Sequence, residues 1–289
     1  MQSTVKRVVG LALFLLLLAA AYYAASRLQP RPATQSPRRS MFGVELSPEA
    51  ASLASKVERS YQAGVREVRT SGHKAGQRAR GVVARDGTPV IEISKYTQPT
   101  EAVIVHELIH LEMYEDGYPD LNFVRRDRRF MKGEDDYLNF IISGVHDQIH
   151  HFMFYPRMRQ MGLDPEAVVR ADAEAVLRAQ DYDYMGLPAD DVRAINYFKI
   201  WMNVSDPGLR RRLTDLYLKK EWRGPWLKAS RMIEAVESSG PKTREQELAA
   251  LEKCLNLLGR DGFRFSFRRW WYEMRGRHKH WYAEFEITA

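Results

Sequence analysis

The chain opens with an unbroken apolar run from Val8 to Ala25, preceded by Lys6 and Arg7 and closed by Ser26-Arg27. A run with no polar face does not suit a surface helix, and at about 18 residues it is just long enough to cross a bilayer. Amphipathic elements follow. Ser47-Pro48 reads as a helix start, and Leu53, Val57, Tyr61 and Val65 recur at every fourth position behind it. Two β-rich stretches, Gly81 to Arg85 and Pro89 to Ile93, flank the tight-turn sequence Asp86-Gly87-Thr88 and predict a hairpin. A strongly apolar helix is expected to begin near Thr97 to Thr100, with Pro99 and Glu101 in its first turn, and to end at Gly117 before Pro119. Tyr118 to Lys132 has no regular pattern and reads as a basic loop. A long helix follows from about Glu134 to Met161, stopped by Gly162.

Beyond Gly162 the signals are helical. Asp164-Pro165, Asp190 or Asp191, Ser205-Asp206-Pro207, Gly224-Pro225 and Thr243-x-x-Gln246 each open an apolar-periodic stretch, which predicts about five helices. Ile195, Phe198 and Met202, and Leu248, Leu251, Leu255 and Leu258, are core stripes of such helices. At the end, Phe263, Phe265 and Phe267 alternate with polar residues, as do Ala283, Phe285 and Ile287, so a terminal hairpin is expected through Arg275-Gly276-Arg277. The fold class predicted is α+β, mostly helical, with a short β-hairpin or edge sheet in the first half and a β-hairpin at the end.

With 289 residues, 45% of them hydrophobic, the chain can build one large domain or two small ones. The expected organisation is a signal anchor or signal peptide over 1–27, a flexible tether over 28–42, a first folded region over 43–163, and a helical region with the terminal hairpin over 164–289. Lys6 and Arg7 favour a cytoplasmic amino end, and Tyr22 and Tyr23 suit a membrane interface. A single-pass cell-membrane protein with its folded part on the extracytoplasmic side is therefore expected. Cleavage at Ala19-Ala20-Ala21 or near Ala25 would instead give a secreted or periplasmic protein.

The net charge of +7 is scattered, which fits solubility and a membrane surface, and no nucleic-acid partner is expected. Basic and aromatic residues do interleave from Arg268 to Trp281; an aromatic face on the core with arginines in water accounts for them most simply. The solitary Cys254 excludes an intramolecular disulfide and a cysteine-based metal site, so any metal falls to histidines and carboxylates.

The chemistry concentrates in Val103-Ile104-Val105-His106-Glu107-Leu108-Ile109-His110-Leu111. Residues four apart on a helix share a face, so His106 and His110 can aim ring nitrogens at one metal ion. Glu107, on the adjacent strip, is placed to take a proton from water rather than to ligate. This His-Glu-x-x-His sequence resembles the zincin metallopeptidases. The resemblance covers the motif and its partner helix. It implies a catalytic Zn²⁺, Glu107 as the catalytic base, a zincin-like core over 43–163, and a strand beside the motif helix whose edge pairs with a peptide substrate. Val90 to Ser94 is the candidate for that edge.

A catalytic zinc takes a third protein ligand. In the metzincin pattern a glycine follows three residues after the second histidine and a ligand three later, but Met113 and Asp116 stand there. An uninterrupted helix would carry Asp116 away from His110. The gluzincin-like alternative draws the ligand from a later helix, here the one holding His146, Asp147, His150 and His151. His151 is the expected third ligand, with Asp147 one turn away as its orienting partner or as the ligand itself; His146 and His150, on the neighbouring strip, are the less favoured alternatives and could donate to an oxyanion. Ser143-Gly144 would let the two helices approach. Gluzincins use glutamate as the third ligand, and the only glutamate near is Glu134, so the resemblance stops short of a subfamily. The reading is a membrane-anchored zinc endopeptidase acting on a peptide or protein substrate. The alternative is a non-catalytic envelope binding protein with a structural or degenerate metal site, which would follow if four protein ligands closed the site.

Overall fold

The computed structural model describes residues 39–71, 79–126, 134–178, 189–258 and 264–288. The apolar run and residues 28–38 of the expected tether fall outside them, whereas Ser40 and Met41 at its end lie in a short strand, and among the described residues no helix is long and apolar enough to cross a membrane.

A two-residue hairpin, β1 (Ser40–Met41) and β2 (Val44–Glu45), leads into α1 (Pro48–Tyr61). The Ser47 hydroxyl caps α1 by accepting from the Ala50 amide, with Pro48 in the first turn. Its buried stripe of Ala50, Leu53, Ala54, Val57 and Tyr61 faces the core. β3 (Arg66–Thr70), β4 (Ala79–Val83) and β5 (Pro89–Ser94) form one sheet in the order β3-β5-β4. β4 and β5 are the predicted hairpin, with Gly87 at φ +87° in its turn.

The candidate edge Val90 to Ser94 is corrected. It lies in β5, the central strand, while β4 is the edge. Only one of β5's six residues escapes burial, as a strand covered on both faces requires.

α2 (Glu101–Glu115) carries the motif, is capped by Thr100 and stops at Gly117 with φ +87°. Gly81 of β4 lies against it so closely that a Cβ there would stand 2.7 Å from the Glu107 carbonyl oxygen, which only glycine allows. β6 (Asp120–Arg126) occupies what was predicted to be a loop; it pairs in parallel with a strand from the far end of the chain, a partner no local pattern reveals.

α3 (Glu134–Gln160) is the long helix; α4 (Ala167–Arg178), α5 (Ala189–Asn203), α6 (Pro207–Lys219), α7 (Arg223–Ser239) and α8 (Arg244–Leu258) are the five that follow. β7 (Arg264–Arg275) and β8 (His278–Thr288) are the terminal hairpin, completed by β6 into a sheet of order β6-β8-β7. The turns of the two sheets meet. A Cβ on Gly276 would strike the Asp86 carbonyl, and Arg275 donates to the Val83 carbonyl at 2.6 Å.

The molecule is thus α+β with small sheets. From Ser40 onward it forms one compact unit holding two hydrophobic clusters. α1, β5 and α2 build one; α4 to α8 and the terminal hairpin build the other. α3 serves both, giving Leu138 to Ile149 to the helical cluster and Phe154, Tyr155 and Met158 to the first. The two clusters therefore share α3 within one unit. Glu112 of α2 binds Lys56 of α1 at 2.7 Å and Arg157 of α3, which fixes the three helices together. Ser143 is exposed, and Gly144 faces Ile195 of α5, where a Cβ would lie 3.0 Å from Cγ2. The glycine lets α5, not α2, approach α3.

Glu166, at the start of α4, is buried and gathers Arg159 at 2.6 Å, the Ser205 amide at 3.0 Å and the Ser205 hydroxyl at 3.2 Å. Burial alone would raise its pKa; the bonds from Ser205 and Arg159 outweigh that and hold it below the ordinary value. A depressed folded pKa contributes stability above the unfolded pKa, and that contribution is lost as pH falls through the folded value. Glu166→Gln is therefore expected to cost about 1–3 kcal/mol near neutral pH, with the gap closing in acid. Urea denaturation of both proteins at the two pH values checks this, and equal stability at neutral pH would show the carboxylate to be idle.

Candidate functional site

α2 and α3 cross with His106 and His110 facing His151. The Nε2 atoms of His106 and His110 are 3.2 Å apart, and one ligand atom from each of the three residues fits within 4.8 Å of the others. Ring centroids of His106 and His151 lie 4.8 Å apart. Tyr155 stacks on His151 at 4.8 Å, and Phe154 meets both His106 and His110 edge-on, so aromatic carbon walls the group.

All three imidazoles are held neutral. Burial pushes His106 down to about 4, with His150 adding to it. His110 and His151 are lowered well below the usual histidine range, again by burial first and then by the neighbouring imidazoles. Neutral imidazoles expose the lone pairs a metal needs, with no proton to displace. A tetrahedral zinc with bonds of about 2.0–2.1 Å sets its ligand atoms roughly 3.3 Å apart, close to the His106–His110 separation. The residues therefore fit a zinc ion.

His151 is oriented from behind. Its Nδ1 lies 3.2 Å from Oδ1 of Asn203, which turns Nε2 toward the other two rings. Asn203 is itself fixed, donating to Gln148 and, at 2.8 Å, to the Lys199 carbonyl. His110 has no such support, since its buried Nδ1 lacks a hydrogen-bond partner. The orienting role expected of Asp147 thus belongs to Asn203, at the last residue of α5. No motif marks it; the one available signal was an amide among the apolar positions of that helix.

The remaining expected residues sort by helix strip. Asp147 opens onto the cleft beside His151 but stands outside the ligand group. Dense protein around the cleft raises its carboxyl, opposed by His146 and His150. His146 and His150 reach Glu247 of α8 and do not line the cleft, although the His150 ring still lies 5.5 Å from that of His110. Asp116 caps α2 and is exposed, outside the ligand group. Glu107 is buried on the cleft wall. Burial, with a contribution from Asp147, pushes its carboxyl up to about 8, while a hydrogen bond from the Gly81 amide works against the rise.

The cleft measures about 350 Å³. Ala79, Arg80 and Gly81 of the β4 edge form one wall, and Asp147, Tyr155 and Lys199 lie across from it on α3 and α5. Lys199 also pairs with Asp172 at 3.5 Å.

Removing the support of His151 should loosen the metal without deleting a ligand. Asn203→Ala is expected to weaken zinc affinity about 10–100-fold, measured by competition with a chromophoric chelator; unchanged affinity would mean that Asn203 only packs. No protein-family model, curated protein or solved structure matches this chain, so the site is defined by its own residues alone.

Proposed function

We propose that the chain is a zincin-like zinc-dependent endopeptidase. The observation that carries this reading is the convergence of three neutral imidazoles beside a buried carboxyl, on a cleft walled by a strand edge that is unpaired among the described residues. Zn²⁺ held by His106, His110 and His151 would supply a Lewis acid that makes water acidic near neutral pH and polarises a carbonyl.

The chain's own groups do the rest. Glu107 follows His106 directly; burial alone raises its carboxyl, a cation held by the adjacent histidines would favour its ionised form, and that carboxylate accepts the proton of the attacking water and returns it to the leaving amine. The Gly81 amide holds that carboxylate in place. Tyr155 and Tyr114 keep their phenolic protons, because burial raises both well above the usual range, and with the Lys199 ammonium they are the cleft-lining proton donors available to a developing oxyanion. The edge of β4 offers backbone groups to an extended chain, which favours a peptide substrate over a compact small molecule.

Three protein donors leave a coordination position for chemistry, and Asp147 outside the ligand group favours the enzyme over a closed structural site. The run from Val8 to Ala25 supports a single-pass anchor with the cleft on the extracytoplasmic side, or an exported protein if it is cleaved.

Glu107→Gln is expected to lower kcat/KM on an unstructured protein substrate by about 10²–10⁴-fold while zinc content stays at the wild-type value. His106→Ala and His151→Ala should each lose one zinc and all turnover. A Glu107→Gln protein that cleaves as fast as wild type would remove the mechanism. Gly81→Val forces a side chain against the Glu107 carbonyl; it should cut turnover while leaving the zinc in place, which paired peptidase and metal assays would show.

A further inference from the structure

α3 carries a second pair of histidines one turn apart. His146 and His150 occupy the strip beside Asp147 and His151, so the helix points them away from the cleft, toward α8. There one carboxylate oxygen of Glu247, in the first turn of α8, lies 2.8 Å from His146 Nε2 and 2.7 Å from His150 Nε2. The group is sealed: Glu247 is 0% exposed, His150 1% and His146 7%.

These contacts are close but are not hydrogen bonds. Both Nε2 atoms and both Glu247 oxygens are buried without a hydrogen-bond partner of good geometry. So many orphaned donors and acceptors at one point destabilise the fold if nothing else engages them. A carboxylate buried this completely requires positive charge or donors against it. One imidazole proton could serve a single contact, whereas a metal ion engages both lone pairs and the carboxylate together.

We propose that His146, His150 and Glu247 bind a second metal ion, a zinc-class divalent cation taken by two imidazoles and one carboxylate, which clamps α8 to α3. The ligand atoms stand about half an ångström closer together than a tetrahedral zinc would set them, a difference that small ring rotations cover. None of the three residues lines the cleft, so the ion is structural and its binding does not depend on the proposed peptidase activity. By holding α8 on α3, it would steady the helix whose neighbouring strip presents His151.

The test is zinc stoichiometry on the full-length chain, stripped with chelator, titrated with Zn²⁺ alone and assayed by elemental analysis after desalting. Wild type is expected to hold two equivalents, Glu247→Gln one, and a His106→Ala/His110→Ala double variant one. Glu247→Gln with as much zinc as wild type, while folded by circular dichroism, overturns the proposal. Should Glu247→Gln fail to fold, the double variant decides: one retained zinc upholds the second site and none overturns it. A wild type holding a single zinc that the double variant keeps would uphold this site and remove the catalytic one, and a single zinc that the double variant loses would do the reverse.

Discussion

Three imidazoles stand edge to edge inside this protein, and burial holds them uncharged. At these separations two protonated rings would repel by several kcal/mol in a poorly solvated interior, so at most one could carry a proton, and desolvation disfavours even that one. Desolvation removes that proton: aromatic carbon from Phe154 and Tyr155 closes on the rings, and α2 and α3 bring hydrocarbon from both clusters around them. What remains is a set of lone pairs with little to bond to, which is the electronic form a cation requires. The surrounding fold serves mainly to keep that set assembled.

Its pieces come from distant parts of the chain. α1 and α3 grip Glu112 on the outer face of α2, and Tyr61 donates to the Leu111 carbonyl at 2.9 Å, so the motif helix is held from behind. β8 reaches the end of that helix as well, where His278 lies 2.8 Å from Glu115. Gly144 admits α5, which delivers Asn203 to His151 and Lys199 to the cleft. Loss of any one of these elements acts on the site through position and not through chemistry, which separates them from Glu107 and the histidines.

α3 is the element on which the two halves meet. Adjacent residues on a helix differ by about 100° in direction, so His146 and Asp147, or His150 and His151, face different neighbours although they are consecutive in sequence. One strip looks toward the motif helix and the other toward α8. The same helix therefore orders the candidate catalytic centre and the buried cluster at Glu247, and the hydrophobic clusters divide along its length.

Much of this was legible from residue order, because it is local. Ser47-Pro48, Thr100 and Asp206 begin helices since a side-chain oxygen satisfies an amide a few residues on, and Asp86-Gly87 turns the chain because glycine tolerates a positive φ. The spacing of His106, Glu107 and His110 likewise fixes their relative directions on any helix. Pairings across long separations were not legible: β6 looked like a basic loop because its partner β8 lies some 160 residues away, and β5 looked like an edge because strand order is not written in a strand. Glu247 had one visible trace, a carboxylate on the same helical face as Leu251 and Leu258, but nothing local named His146 and His150 as its partners. The sequence determined which groups share a helix face; only the packing of α2, α5 and α8 around α3 decided which faces meet, because that choice depends on summed burial over many residues and on close approaches such as Gly81 and Gly144 that no single stretch encodes.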